Sequence, residues 1–304
     1  MIGHITDPKA EGGLDRREIP EPAPTPTDVV IDVRAYAVNR GELGLLQQRP
    51  SGWAPGQDVA GVIAKAAANG SGPRPGTRVV GCADGGGWSQ RAVVPSYRVA
   101  PIPENVSFAD AAALPVAGLT ALRALRTGGP LLGRHVLITG ASGGVGMFAV
   151  QLAVVAGALV TAHVSGQHRV DAVRPLGAHH VVTTLEGVTE KFDLVLDGVG
   201  GQVLVDALHH LAPGGTVAAY GVASGEKSSI DFRDFRGATN AKLMGFFVYG
   251  TDVHTFGEDL GLMARLIGEG KLKVPGPRRD WQETRQAIEM LRKREATGKV
   301  VLTI

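Results

Sequence analysis

Residues 135–152 read HVLITGASGGVGMFAVQL: an apolar run, then glycines at 140, 143, 144 and 146, then a second apolar stretch. The first run is typical of a buried strand and the second of a helix, which places the glycines at a strand-to-helix turn. Glycines at such a turn let the backbone approach a pyrophosphate, and the first amides of the helix face the anion. The stretch predicts a dinucleotide-binding βα turn, although a glycine-rich turn without a ligand has the same pattern.

The spacing of the small residues is Ala141-x-Gly143-x-x-Gly146, one residue away from the usual Gly-x-Gly-x-x-Gly. Its context carries more weight, because strand-like and helix-like stretches alternate after Ser107. The strand-like stretches are 135–140, 159–164, 179–184, 192–199 and 216–221, and the helix-like stretches are 117–129, 144–156, 167–176 and 202–211. This rhythm predicts a parallel sheet covered on both faces.

The chain up to about residue 106 has a different texture. Short β-type runs at 28–38, 61–68, 77–82 and 89–99 are separated by proline and glycine turns. Such spacing predicts a small, mostly antiparallel barrel or sandwich. The segment 281–304 predicts a helix followed by a strand, KVVLTI, which either rejoins the first sheet or forms an edge strand.

Composition limits the classes of partner. Hydrophobic residues make up 44% and charged residues 20% of the chain, as in ordinary globular proteins, and the formal net charge of +2 indicates neither a nucleic acid nor an anionic membrane. The start of the chain lacks the features of a secretory signal, and Gln151 and Gly157 interrupt its most apolar stretch. Cys82 is the only cysteine, so no disulfide forms within the chain. We expect a cytoplasmic protein and a buried, structural Cys82.

The end of the second strand of the alternating part bears on the cofactor. Sites that prefer NAD place an Asp or Glu about 20 residues past the glycine turn, where it binds the ribose 2′-hydroxyl. This chain has Val164 there, followed by Ser165, His168 and Arg169. A hydroxyl and a guanidinium can bind a 2′-phosphate, which a carboxylate would repel. The pattern favours NADPH over NADH; an exposed helix arginine at position 169 is the alternative.

Several stretches together resemble the zinc-independent quinone oxidoreductase (zeta-crystallin-like) branch of the medium-chain dehydrogenase/reductase superfamily. They are AYAVNRGELGLLQQR (35–49), PGQDVAGVI (55–63), PGTRVVG (75–81), DAAALPVAGLTALRAL (110–125), GASGGVGMFAVQLA (140–153), DLVLDGVGG (193–201), LAPGGTVAAYG (211–221) and GKVVL (298–302). The resemblance implies an α/β protein with two domains. One is a GroES-like, mostly β substrate domain of residues 1–112 and 274–304, and the other is a Rossmann NADP-binding domain, a doubly wound parallel sheet, of residues 113–273.

The resemblance also implies the site residues. Asn39 matches the asparagine of the family's VN-x-x-(D/E) motif near the nicotinamide, with Glu42 in place of the usual Asp, and Thr120 matches a residue that lines the cofactor site. Asn39 and Thr120 are the predicted catalytic residues, with a turn-forming role as the alternative for Asn39. The predicted cofactor-binding residues are Asn39, Thr120, Ser142, Gly143, Gly144, Val145, Ser165, His168, Arg169, Gly198, Val199, Gly221, Phe246, Phe247 and Val248.

A catalytic zinc is not expected. The zinc alcohol dehydrogenases of the superfamily carry Gly-His-Glu where this chain has Gly56, Gln57 and Asp58, so the zinc-binding histidine is replaced by Gln57. Cysteine ligands are missing as well, and a catalytic zinc needs about three converging N, S or carboxylate ligands.

These observations predict an NADPH-dependent, zinc-independent oxidoreductase that transfers hydride to a quinone or an α,β-unsaturated carbonyl compound. Two alternatives stay open: an accessory enoyl reductase that acts on a tethered or thioester biosynthetic intermediate, and an NADPH-binding protein without significant turnover. A small-molecule substrate is the expected partner, with no nucleic acid and no membrane. By resemblance, the protein is expected to form a homodimer, in which the region 245–250 could pair across a two-fold axis.

Overall fold

The structure is a computed structural model that describes residues 1–304. The chain forms two compact units. The first contains Met1–Leu119, Asp252–Gly270 and Val274–Ile304, and the second contains Thr120–Thr251 and Lys271–Lys273. The predicted domain bounds, 1–112 with 274–304 and 113–273, stay a prediction.

The amino-terminal part of the first unit is built of short strands. They are β1 (Ile2–Thr6), β2 (Leu14–Glu18), β3 (Asp28–Val38), β4 (Asp58–Lys65), β5 (Arg78–Cys82), β6 (Arg91–Pro95) and β7 (Val99–Pro101). Two helices accompany them, α1 (Arg40–Gln48) and α2 (Phe108–Ala112). Helix α3 (Pro115–Arg126) begins in the first unit and continues in the second from Thr120. Ser107 is the N-cap of α2, because its Oγ accepts a hydrogen bond from the Asp110 amide at 3.0 Å.

The second unit contains a six-stranded parallel sheet. Its strands are β8 (His135–Thr139), β9 (Leu159–His163), β10 (His180–Val182), β11 (Phe192–Asp197), β12 (Leu211–Ala219) and β13 (Lys242–Gly245), and its helices are α4 (Gly144–Val155), α5 (Val170–Val173) and α6 (Gly201–His209). The strand order is β10-β9-β8-β11-β12-β13. Numbered within this sheet the order is 3-2-1-4-5-6, that of a doubly wound dinucleotide-binding fold.

Two predicted elements are interrupted in the structure. The predicted β-type run 89–99 divides into β6, a 3₁₀ turn at Ser96–Arg98 and β7. Residues 167–176 do not form one helix, but a 3₁₀ turn at Gln167–Arg169, the single turn of α5 and a second 3₁₀ turn at Arg174–Leu176. Pro175 lies in the last turn, and its ring nitrogen has no hydrogen to donate to a helix.

The chain returns to the first unit through α7 (Phe256–Gly268), β14 (Arg278–Asp280), α8 (Thr284–Arg292) and β15 (Val300–Thr303). The sheet of this unit has the order β14-β15-β3-β4-β5-β7, and β6 also pairs with β3. Strand β15 lies inside the sheet, antiparallel to β3 and parallel to β14. Of the two predicted placements of KVVLTI, return to the first sheet is therefore correct. The predicted α/β fold class is confirmed.

No helix of the structure has both the length and the apolar character that crossing a lipid bilayer requires.

Candidate functional site

The glycine loop follows β8 and leads into α4. Gly140 has a φ of +63°, a left-handed conformation that favours glycine. Gly143 is the N-cap of α4, and the helix has no side-chain cap. The first amides of α4 and the positive end of the helix dipole thus face a position at which an anion can bind.

Gly146 allows the helix to approach the strand end closely. A β-carbon on Gly146 would lie 2.4 Å from the Gly140 carbonyl oxygen and 2.6 Å from the Ala141 α-carbon. Both are backbone atoms and cannot move aside without distorting the loop. The third small residue of the motif therefore has the packing role that the sequence predicts.

The loop lies where the strand order of the parallel sheet reverses. From β8 the chain builds β9 and β10 on one side and then continues with β11 on the other, and ligands of doubly wound sheets bind at such a switch point. Thr139, at the end of β8, donates its hydroxyl to Asp197 Oδ1, at the end of β11. The Gly198 amide donates to Thr139 Oγ1 at 3.2 Å, and the Gly200 amide donates to Asp197 Oδ2 at 2.9 Å. These hydrogen bonds join the two loops, and burial raises the pKa of the Asp197 carboxyl.

The end of β9 carries the residues predicted to select the cofactor. Val164 is fully buried, whereas Ser165 and His168 are exposed and Arg169 is half-buried. Arg169 Nη1 donates to Ser142 Oγ in the glycine loop at 3.3 Å. Arg169 contacts the glycine loop, so the structure does not show the exposed helix arginine of the alternative prediction.

His163 was missed by sequence reasoning. It is the last residue of β9, is 7% exposed, and its Nδ1 has no hydrogen-bond partner in the chain. Burial lowers its pKa, which favours the neutral ring. The backbone carbonyl of His163 accepts a hydrogen bond from the Ala141 amide at 3.0 Å. A histidine directly before Val164 was the available signal, but a strand-end histidine is not specific to a site.

The remaining predicted cofactor residues of the second unit follow β11, β12 and β13. A β-carbon on Gly140 would lie 3.2 Å from Val199, and one on Gly221 would lie 2.8 Å from the Gly198 carbonyl oxygen. Beyond β13, Phe246 is buried and Phe247 is 70% exposed. Residues of the glycine loop and of the strand ends are therefore brought together at one edge of the sheet. Val248 and Thr120 are buried in the same unit, Thr120 on α3.

Asn39 lies in the first unit, within a buried cluster of four polar side chains: Asn39, Glu42, Asp58 and Lys299. Asn39 Nδ2 donates to Asp58 Oδ2 at 2.9 Å and to Glu42 Oε2 at 3.4 Å, and Asn39 Oδ1 accepts from Lys299 Nζ at 2.7 Å. Lys299 Nζ also donates to Asp58 Oδ2 at 2.9 Å. Sequence reasoning found neither Lys299 nor the acidic partners of Asn39 as one group, because they come from distant parts of the chain.

The chain folds locally to build this cluster. Asn39 is the N-cap of α1, and its backbone amide donates to Glu42 Oε2 at 2.8 Å, as in the reciprocal half of a capping box. The predicted alternative for Asn39, a residue that holds its own turn, thus describes part of its role. Glu42 Oε1 accepts from the Gln57 amide at 3.0 Å, and Asp58 Oδ1 accepts from the Val116 amide at 2.8 Å.

Two carboxylates and one ammonium give the fully ionised cluster a net charge of −1. Glu42 and Asp58 have no exposed surface, and Lys299 is 4% exposed. Burial, and then the negative charge of Asp58, raise the pKa of Glu42 to about 8. At neutral pH Glu42 therefore holds a proton, and Lys299 and Asp58 form the buried ion pair.

Comparison with known proteins places the chain in a family. The model of the zinc-binding dehydrogenase family matches residues 144–265, and that of the alcohol dehydrogenase GroES-like domain matches residues 25–104. A trans-enoyl reductase of Aspergillus terreus is 39% identical over 57% of this chain, and a chloroplast envelope quinone oxidoreductase homolog of Arabidopsis thaliana is 34% identical over 62% of it. The matched regions cover 65% and 64% of these relatives, just under two thirds of their lengths.

Among solved structures, a mycobacterial protein complexed with NADPH is similar along the whole chain. The TM-score is 0.86 at 26% identity, with 100% of this chain and 99% of that one covered. The fold, the glycine loop and the two family models define a protein of the dehydrogenase class. The chain belongs to the medium-chain dehydrogenase/reductase family, in its quinone oxidoreductase group.

The name of one matching family raises the question of zinc. No group of three or more His, Cys, Asp or Glu side chains lies together in a way that could hold a metal ion. Cys82 is buried at the end of β5, as expected, and the Glu42 and Asp58 carboxylates are already joined to Asn39 and Lys299. The residues present do not fit a catalytic zinc, and independence from zinc remains a prediction about the reaction.

Proposed function

We propose that this protein is an NADPH-dependent, zinc-independent oxidoreductase that reduces a quinone or an α,β-unsaturated carbonyl compound. The observation that carries the proposal is the glycine loop at the switch point of the parallel sheet, with the Arg169 guanidinium bonded to Ser142 inside that loop. The NADPH complex of the mycobacterial neighbour and the quinone oxidoreductase relative of Arabidopsis thaliana support it.

The chain's own residues supply the binding of the cofactor. The amides of Gly144 and Val145 would hold the pyrophosphate, because they open α4 and no side chain caps them. The Gly143 amide already donates to the Gly140 carbonyl oxygen at 2.9 Å, so Gly143 would let the backbone approach the anion without donating to it. Ser165, His168 and Arg169 would hold the 2′-phosphate, and Val164 adds no repelling carboxylate. By resemblance, Gly198, Val199, Gly221 and the segment 246–248 flank the ribose and the nicotinamide. When bound, NADPH supplies the hydride.

Asn39 and Thr120 are proposed to act on the acceptor. Negative charge grows on the carbonyl oxygen of a quinone or enone as hydride arrives, and an N–H or O–H donor stabilises that charge. One Asn39 Nδ2 hydrogen is committed to Asp58 at 2.9 Å, while the other makes only the 3.4 Å contact with Glu42. That second hydrogen is the one that Asn39 can give to an acceptor.

A second candidate is an accessory enoyl reductase that acts on a tethered or thioester intermediate. The 39% identity to the trans-enoyl reductase of Aspergillus terreus favours it. For an α,β-unsaturated carbonyl acceptor the reduction is the same hydride transfer to a β-carbon, so there the two candidates differ only in the carrier of the enone.

A panel of acceptors tests both candidates. Oxidation of NADPH and of NADH is followed at fixed enzyme concentration with ortho- and para-quinones, alkenals and enoyl thioesters. Turnover with quinones or alkenals supports the first candidate, and turnover confined to thioesters supports the second. Tight NADPH binding without turnover of any acceptor refutes both and leaves a cofactor-binding protein.

The homodimer and the cytoplasmic location belong to the same proposal. Strand β13 is the outer strand of its sheet and all four of its residues are exposed, among them Leu243 and Met244. An unpaired edge with apolar side chains offers backbone groups to a second strand. Light scattering coupled to gel filtration distinguishes a dimer from a monomer.

A further inference from the structure

Lys299 is buried, and its ammonium group donates to three oxygen atoms. It directly precedes β15 and donates to the Val38 carbonyl at 3.2 Å, to Asn39 Oδ1 at 2.7 Å and to Asp58 Oδ2 at 2.9 Å. All three ammonium hydrogens are thus used within the protein. Neither the glycine loop nor the proposed cofactor contacts give this lysine a task.

We propose that Lys299 is a positioning residue that fixes the orientation of the Asn39 carboxamide. The inference rests on the proposed function, because it concerns the side chain assigned to the acceptor. It adds the carboxyl-terminal strand to the parts of the chain on which hydride transfer depends.

The two ends of an amide differ in hydrogen-bonding character, because the oxygen only accepts and the nitrogen only donates. The oxygen of Asn39 faces a cation that can only donate, and its nitrogen faces two carboxyl groups, of Asp58 and Glu42. A flipped amide would place its NH₂ group against the Lys299 ammonium and its oxygen against the Asp58 carboxylate. Both contacts would be repulsive in a buried site, so only one orientation is compatible with Lys299.

Asp58 alone would not define the orientation as strongly. Without Lys299, the Asn39 oxygen loses a charged donor, and the Asp58 carboxylate remains buried with no cation within hydrogen-bond distance. Loss of Lys299 therefore has two separable effects, a freed amide and an unpaired charge. The experiment has to distinguish them.

Two variants separate the effects. Lys299→Met removes the donor and leaves the buried charge of Asp58, whereas the double variant Lys299→Met with Asp58→Asn removes the donor and the charge together. Circular dichroism and thermal unfolding first establish that each variant is folded. The double variant provides a folded test case if the single one is too unstable.

The first readout needs neither cofactor nor substrate. The chain has four asparagines, Asn39, Asn69, Asn105 and Asn240, so [¹⁵N]asparagine labelling gives four side-chain NH₂ signals, and Asn39→Ser identifies one of them. In the unmodified protein the Asn39 NH₂ should be the one protected from hydrogen exchange. In the double variant its protection should fall by about 10- to 100-fold, the effect of one charged hydrogen bond.

The second readout is kinetic. The double variant should lower kcat by about 10-fold or more while the KM for NADPH stays within about twofold, because only the acceptor-facing amide has lost its orientation. Unchanged protection of Asn39, or a kcat restored to that of the unmodified protein, would overturn the positioning role and leave Lys299 as a counter-ion of Asp58. If no acceptor is reduced by the unmodified protein, the proposed function fails while the exchange measurement still decides the orientation.

A measurement on the unmodified protein covers the case in which neither variant folds. With [¹⁵N]lysine labelling, one ammonium group should exchange its hydrogens slowly and show a nuclear Overhauser contact to the Asn39 side chain. Uniformly fast exchange of all lysine ammonium groups contradicts the geometry on which the proposal depends.

Discussion

Replacement of Glu42 by Gln should change how the stability of the first unit responds to pH. In the folded protein, burial and the neighbouring charge of Asp58 raise the pKa of Glu42 from 4.5 to about 8. In the unfolded chain the same carboxyl is in water and ionises near its ordinary value. Between these two values the folded state holds one proton more than the unfolded state.

The sign and the size of the effect follow from proton linkage. The stability contributed by Glu42 is complete below the unfolded pKa and is lost as the pH rises through the folded pKa. The slope is about 1.4 kcal/mol per pH unit inside this window. From 4.5 to about 8 the sum is at most about 5 kcal/mol, and the folded pKa already includes the opposing charge of Lys299.

Tryptophan fluorescence provides the assay. Trp53, Trp88 and Trp281 are the only tryptophans, and all three lie in the first unit. Urea unfolding of the unmodified protein and of Glu42→Gln is compared from about pH 5 to about pH 9 by linear extrapolation. The glutamine cannot ionise, so the advantage of the unmodified protein should shrink steadily as the pH rises.

Glu18→Gln is the matched control, because Glu18 is exposed on β2 in the same unit. It should give a curve parallel to that of the unmodified protein. A constant difference in unfolding free energy between Glu42→Gln and the unmodified protein over the whole pH range would refute this reasoning. It would show that Glu42 is ionised in the folded state.

Three further predictions concern the second unit. Arg169→Ala should weaken NADPH binding by about 1.5–3 kcal/mol and leave NADH binding nearly unchanged, as measured by calorimetry. Arg174→Ala, at an exposed arginine, is the control. Equal losses of affinity for both cofactors would refute the 2′-phosphate assignment. Gly146→Ala should lower the unfolding free energy by about 1–3 kcal/mol and remove most of the NADPH affinity, because the new β-carbon would lie 2.4 Å from the Gly140 carbonyl oxygen. Thermal unfolding and NADPH binding equal to those of the unmodified protein would contradict this prediction. Asp197→Ala removes the acceptor of two backbone amides in the following loop, so NADPH affinity should fall by about tenfold. A titration followed by nicotinamide fluorescence measures this affinity. An unchanged affinity would mean that the loop keeps its conformation without Asp197.

Much of the fold was predictable because it follows from local patterns. The predicted strand 28–38 coincides with β3, and the predicted strand 135–140 differs from β8 by one residue. Helix α1 was not predicted as a helix, because Gly41 and Gly44 lower its propensity and its support comes from the Asn39 cap and from packing. Helix α7 was also not predicted.

The candidate site was predictable where one short segment builds it. The glycine loop and the missing acid at Val164 lie close together in the sequence, so counting residues was enough. The cluster around Asn39 could not be found this way, since Lys299 and Asp58 are 241 residues apart and meet only when β15 enters the first sheet. Contacts between distant segments leave no periodic signal in a single sequence.

The position of β15 imposes an order on the folding of the two units during synthesis. Residues 1–119 emerge first, but the part of β3 from Ala35 to Val38 has to wait for Val300–Thr303 as its neighbour. Until then β3 exposes unpaired backbone groups along an apolar stretch, and Asp58 waits for the cation that neutralises it. The parallel sheet of the second unit comes from one continuous segment and can close earlier. Nascent chains stalled before residue 299 should therefore carry a folded second unit and an incompletely folded first unit. The first unit is the part that a chaperone is expected to bind.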